Sequence, residues 1–208
     1  MVAPASSNTY PLLRIVGTSS LSGGFNNNVN NLQKSVVTII NDDKMGSGFY
    51  IGKDGYLLTD AHVATGSHYV KVRLTDNREV IGEVIRVNEP RDVALLKTDA
   101  VNIQPIALSV AQPALGSEVY AIGSPLSPTL AGSVTKGVIS GFRNYDHFDF
   151  IQSDVTVNHG SSGGPLLDGL GSVIGIAERF GGHNQSEGIN LFTPINDALK
   201  YISVQIVN

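Results

Sequence analysis

The chain contains no cysteine, so neither a disulfide nor a thiolate-bound metal can contribute to it, and thiol usage says nothing about its redox compartment. Stability must come from packing. Charge is scarce as well, at 15% of residues, with 14 basic against 18 acidic side chains and a net charge of −4. Lys and Arg are scattered, which leaves no electrostatic footprint for a nucleic-acid partner. No apolar run approaches the roughly 18 residues of a membrane span. The first eight residues, Met1 to Asn8, lack the basic flank and the apolar stretch of a secretion signal. The chain therefore either stays inside the cell or is a processed form with an added initiator Met. Long helical periodicities are nearly absent too.

What is present points to strands. Hydrophobic residues make up 41% of the 208 positions and glycine supplies 23, a balance suited to short strands joined by turns. From Ser35 onward, β-type runs recur at Val36–Ile40, Gly48–Ile51, Tyr56–Thr59, Tyr69–Leu74, Val80–Val87 and Val93–Leu96. Val70, Val72 and Leu74 alternate with Lys71 and Arg73, the period of a strand with one buried face. A second series follows at Ser117–Ile122, Gly132–Ser140, Phe148–Ile151, Gly164–Leu167, Ser172–Ile176 and Ile189–Phe192. Ile195, Ala198, Leu199 and Ile202 then fall at helical spacing, with Thr193 as the expected cap and Pro194 as the first helical residue. Residues 17–31, rich in Gly, Ser and Asn, read as an exposed arm. The expected division is a flexible N-terminal arm over 1–34, a first β unit over 35–110 and a second over 111–208 with the terminal helix.

The chemistry concentrates in Gly160-Ser161-Ser162-Gly163-Gly164-Pro165. This run holds a hydroxyl among residues small enough for the backbone to fold tightly around it, which makes Ser162 the candidate nucleophile. Alone, such a string also fits a flexible connector, but strand-like runs flank it on both sides. A serine nucleophile needs a base, an acid to orient that base, and backbone N–H groups aimed at the developing oxyanion. Of His62, His68, His147, His159 and His183, the first follows a turn, a strand and small or polar residues, a context that holds an imidazole at a strand end. Asp92 heads the apolar run Val93–Leu96, where an unpaired buried carboxylate is costly and pairing with His62 removes that cost. The order His62, Asp92, Ser162 is one of the known orders of this triad.

Gly46-Ser47-Gly48-Phe49, Leu58-Thr59-Asp60-Ala61-His62-Val63, Asp92-Val93-Ala94-Leu95-Leu96-Lys97, the stretch from Gly132 to Ser140, Ile151-Gln152-Ser153-Asp154 and Gly160 to Pro165 resemble, in order and spacing, the HtrA-like branch of the chymotrypsin-fold serine proteases. The resemblance runs from about Ser35 to Ile202. It implies an all-β fold of two six-stranded antiparallel β-barrels with a short C-terminal helix, with His62 and Asp92 from the first barrel and Ser162 from the second. It implies a serine endopeptidase acting on unfolded or flexible proteins through an acyl-enzyme, with the N–H groups of Gly160 and Ser162 as the oxyanion hole and no cofactor. By position, Thr156, Val157 and Ala177 line the pocket for the residue preceding the scissile bond. No acid lies at its base, which favours small or medium aliphatic side chains, although Glu178 and Arg179 stand near enough to alter this.

Departures from the pattern are Ser161 and Ala61, where family members commonly carry Asn. The family also implies a periplasmic setting, trimers assembled through N-terminal segments, and a following PDZ domain, for which this chain has no room. Two other readings differ in class. A protease fold kept as a catalytically silent peptide-binding or chaperone-like module would label poorly with a fluorophosphonate. An α/β-hydrolase would use Ser162 in G-x-S-x-G with His183 as base, but the alternating helices are missing. No metal-ligand spacing occurs, and Asp146-His147-Phe148-Asp149 reads as a solvated loop.

Overall fold

The computed structural model describes residues 10–42, 44–99, 102–123, 132–178 and 189–207. Two closed barrels dominate it. The first is built from β2 (Val36–Asn41), β3 (Lys44–Tyr50), β4 (Tyr56–Thr59), β5 (Tyr69–Arg73), β6 (Glu79–Asn88) and β7 (Val93–Thr98), arranged β2-β3-β4-β7-β6-β5 and closed by pairing of β2 with β5. The second comprises β8 (Glu118–Gly123), β9 (Ser133–Tyr145), β10 (Phe148–Ser153), β11 (Pro165–Asp168), β12 (Val173–Ala177) and β13 (Asn190–Pro194), in the order β10-β13-β12-β11-β8-β9. Every pairing within the barrels is antiparallel. All twelve strand runs expected from the sequence fall on these elements, because alternation and glycine-marked turns are local signals.

Closure leaves neither barrel with a free edge. Each has its own interior: Val37, Ile39, Leu57, Val72 and Leu96 in the first, and Val119, Ile139, Ile151, Leu166 and Phe192 in the second. A third apolar cluster joins the two, with Phe49, Leu58 and Leu95 from one barrel meeting Ile122, Leu167 and Ile176 from the other. It holds the facing ends of β3, β4, β11 and β12 in a fixed relation, and those are the ends that carry the chemistry.

The N-terminal segment departs from the expected exposed arm. β1 (Leu13–Val16) pairs in parallel with β14 (Val204–Val207), and α1 (Gly24–Lys34) runs through the Asn-rich stretch. Composition alone misled here: Phe25, Val29 and Leu32 recur at helical spacing, and Phe25 and Leu32 are buried in the cluster between the barrels. The Phe25 ring stacks on Tyr120 with centroids 3.7 Å apart, so burial outweighs poor helix propensity. The C-terminal helix, α3 (Ile195–Tyr201), forms as expected, but Pro194 is its N-cap and Thr193 belongs to β13. The Thr193 hydroxyl is committed elsewhere, to Glu178. β14 was not legible beforehand, since its partner lies almost two hundred residues away.

Candidate active site

β4 runs into a single helical turn, α2 (Ala61–Ala64), which carries His62. Asp60 is its N-cap, a position where an Asp carboxylate usually accepts from an amide of the first turn. That amide, the His62 N–H, donates instead to Asp92 Oδ1 at 2.8 Å, while Asp92 Oδ2 lies 2.6 Å from His62 Nδ1. One carboxylate thus fixes both the backbone and the ring of His62. With Nδ1 occupied, the tautomer leaves Nε2 free to accept a proton.

Asp92 is held in place by the turn between β6 and β7. Its φ is +54°, a left-handed conformation that Asp tolerates, its N–H donates to Glu89 O at 3.1 Å, and the Asn88 side chain accepts from the Arg91 N–H at 3.0 Å. Its side chain is half-buried just ahead of β7. The enclosed acid is Asp60, fully buried with neither carboxyl oxygen hydrogen-bonded among the described residues. The Gly163 N–H, near enough to lower the Asp60 pKa, spends its hydrogen on Ala177 O at 2.9 Å. Burial first, then the Glu178 and Asp92 carboxylates, push Asp60 well above the ordinary carboxylate range, with Arg91 opposing. Burial likewise pushes Glu178 up to about 7, with a contribution from Asp92 and against the Thr193 hydrogen bond and Arg91.

Ser162 lies in the loop before β11 and is 8% exposed. The loop is clamped onto the first barrel, since the Ser47 N–H donates to Ser162 O at 2.8 Å and the Ser47 hydroxyl to Gly160 O at 2.7 Å. Gly163, at φ +82°, approaches so closely that a Cβ there would run into Ser47 O and sit 2.9 Å from Asp60 N. Gly46 is wedged likewise between Val63 and the Ser162 carbonyl. The loop bearing Ser162 is therefore packed against the residues on either side of His62. Gly160 adopts φ +91°, and neither its N–H nor that of Ser162 has a partner among the described residues.

Thr156, Val157 and Ala177 come together as well, lining a cavity of ≈ 240 Å³ with Ile122, Gly123 and Ser161, and among the described residues no ionisable side chain lines it. Glu178, read from the sequence as a neighbour of this pocket, does not line it and faces Arg91 and Thr193. Arg179 and His183 lie outside the described residues. Asp146 and His147 form the β9–β10 turn, both with positive φ. Asp60, His62 and Asp92 are the described acid and imidazole groups whose atoms lie within 4.8 Å of one another. The 2.6 Å hydrogen bond joins two of them as an acid–imidazole pair. Sequence reasoning passed over Asp60 and Arg91 and read Glu178 only as a pocket neighbour; an acid directly preceding the His62 turn was the one available signal.

Comparison with known proteins shows the family and the fold. Residues 46–176 match the trypsin-like peptidase domain family. A probable periplasmic serine endoprotease, DegP-like, of Halomonas elongata is 41% identical over 164 residues, covering 74% of this chain and 34% of that protein. Serine protease HTRA1 of Xenopus laevis is 42% identical over 142 residues, covering 63% of this chain and 30% of that protein. The chain thus spans about a third of the length of these relatives. Among solved structures, the serine endoprotease from Yersinia pestis superposes with a TM-score of 0.74 at 30% identity, covering 86% of this chain and 65% of that one. The HtrA-type protease AlgW with tripeptide superposes with a TM-score of 0.75 at 33% identity, covering 85% and 61%.

Proposed function

We propose that this chain, which belongs to the trypsin-like peptidase domain family and has HtrA-type proteases among its relatives, is a serine endopeptidase using His62, Asp92 and Ser162. The observation that carries the reading is the bidentate grip of Asp92 on His62, 2.8 Å to its N–H and 2.6 Å to Nδ1, next to the loop of Ser162. In this mechanism His62 Nε2 takes the Ser162 hydroxyl proton as Oγ attacks a peptide carbonyl. The imidazolium, steadied by Asp92, returns that proton to the leaving amine, and water then resolves the acyl-enzyme by the same route.

The Gly160 and Ser162 N–H groups receive the oxyanion, each such donor contributing about 3 kcal/mol to the transition state. A side chain at 160 would resist the positive φ that presents the first of them. The cavity beside Ser161, uncharged among the described residues, takes small or medium aliphatic side chains, since a charged one would be desolvated against that lining. Unfolded or flexible proteins are the proposed substrates and the periplasm the proposed compartment, in line with the DegP-like relatives named periplasmic. No helix among the described residues is long and apolar enough to cross a membrane. Association through the N-terminal segment, as a trimer, is the proposed assembly.

A fluorophosphonate probe tests the reading. Stable labelling of the folded chain that disappears in Ser162→Ala is expected. A folded wild-type chain that resists the probe and cleaves no unfolded protein refutes the peptidase and leaves a peptide-binding module.

A further inference from the structure

Glu178 follows the last residue of β12, the strand whose Ala177 is bonded to the Ser162 loop through both its N–H and its carbonyl, at 2.8 and 2.9 Å. Its side chain is 9% exposed and lies with Nη1 of the buried Arg91 at 3.9 Å. Thr193 of β13 donates a hydrogen bond to it. Arg91 is committed mainly elsewhere, its Nε to Asp197 at 2.9 Å and its Nη2 to Asp149 O at 2.6 Å. The groups that act on Glu178 are Asp92 and Arg91 from the β6–β7 turn, His62 from α2 and Thr193 from β13. Asp60, at the start of α2, interacts with it in turn, and Asp197 of α3 reaches it through Arg91. Asp60, Asp92, Glu178 and Asp197 thus share one guanidinium and one imidazole. Burial makes ionising all of them together costly, and it pushes the pKa of the deepest, Asp60, well above the ordinary carboxylate range.

We propose that Glu178 is a positioning residue for the triad, a second acid behind Asp92 whose ionised form steadies protonated His62 without ever meeting substrate. This rests on the peptidase reading given above. Geometry supplies the coupling: Glu178 meets the guanidinium of Arg91, the residue before Asp92, at 3.9 Å, and the strand it follows is bonded to Gly163, which abuts Asp60 at the start of the His62 turn; ionised Glu178 and His62 attract one another across that contact. Linkage is reciprocal, so whatever ionised Glu178 adds to the proton affinity of His62, protonated His62 adds to the acidity of Glu178. The imidazolium that forms as Ser162 attacks is the species that benefits.

The test follows the ring resonances of His62 by NMR against pH in the full chain carrying Ser162→Ala, where hydrolysis plays no part. His68, His147 and His159 serve as internal controls. Glu178→Gln should move the His62 midpoint down by about half a pH unit, a threefold change in proton affinity. Glu178→Asp should bring it back toward the parent, and the control histidines should not move. In the chain with Ser162 intact, the acid limb of kcat/KM should shift the same way. Should Glu178→Gln fail to fold, Thr193→Val removes the hydrogen bond that favours the ionised carboxylate and should lower the same midpoint. His62 midpoints that coincide with the parent in every folded variant overturn the proposal. Loss of the peptidase reading would show separately, as absent probe labelling with the NMR shift still present.

Discussion

Replacing Glu178 by glutamine should stabilise the protein at neutral and alkaline pH while leaving it unchanged in acid. In the fold the Glu178 carboxyl is pushed from its ordinary 4.5 up to about 7, chiefly by burial. Between those values the folded chain holds a proton that the unfolded chain has released. Stability contributed at this site is therefore full below pH 4.5 and is lost as pH rises to about 7. At about 1.4 kcal/mol per unit, the loss amounts to about 3 kcal/mol. Asp60, raised by burial, Glu178 and Asp92, works in the same direction, so the wild-type chain weakens from pH 5 to 7, where most proteins hold steady or gain. The amide introduced by Glu178→Gln cannot ionise, still accepts from Thr193, and leaves Arg91 its 2.9 Å partner Asp197. Urea unfolding at pH 4, 5, 6, 7 and 8 measures the effect. The variant should exceed wild type by about 3 kcal/mol at pH 8, with the gain shrinking to nothing near pH 4. A difference independent of pH, or a wild-type stability that climbs from pH 5 to 7, would show that Glu178 is ionised throughout and would refute the reasoning.

Ser162→Ala should lower kcat/KM on an unfolded protein by several orders of magnitude with an unchanged melting curve, since members of a triad act as a unit; a near-normal rate in the purified variant would sink the assignment. Peptides with Ala or Val before the scissile bond should be cleaved at least about tenfold faster than those with Lys or Glu, given a cavity with no ionisable lining among the described residues, and peptide-series kinetics check this. Phe25→Ala should cost about 3 to 5 kcal/mol by urea unfolding, because the ring is buried between the barrels and stacked on Tyr120; a loss under about 1 kcal/mol would mean that α1 detaches freely. Gly163→Ala drives a Cβ into the Ser47 carbonyl at φ +82°. It should abolish probe labelling at Ser162 by displacing the loop, and normal labelling would contradict the clamp.

The barrel strands were legible because their signals are short-range. Val70, Val72 and Leu74 alternate with polar neighbours, Lys53-Asp54-Gly55 marks a turn, and Gly160 to Pro165 is a run in which small residues leave one hydroxyl conspicuous. Those patterns need no knowledge of what lies across the molecule. The arm over 17–31 misled because Asn and Gly dominate its composition, while Phe25 and Val29, with Leu32 just beyond it, matter only once the cluster between the barrels exists to receive them. Local sequence thus determined the strands, the turns and which side chains have the chemistry for a triad. Tertiary structure alone decided that β1 would pair with β14 and that Asp92, not the N-cap residue Asp60, would accept from the His62 N–H. It also decided that Asp60 and Glu178, ordinary acids in the sequence, would lose their water. Desolvation and long-range charge depend on what the whole chain brings to one place, and no window of neighbouring residues contains that information.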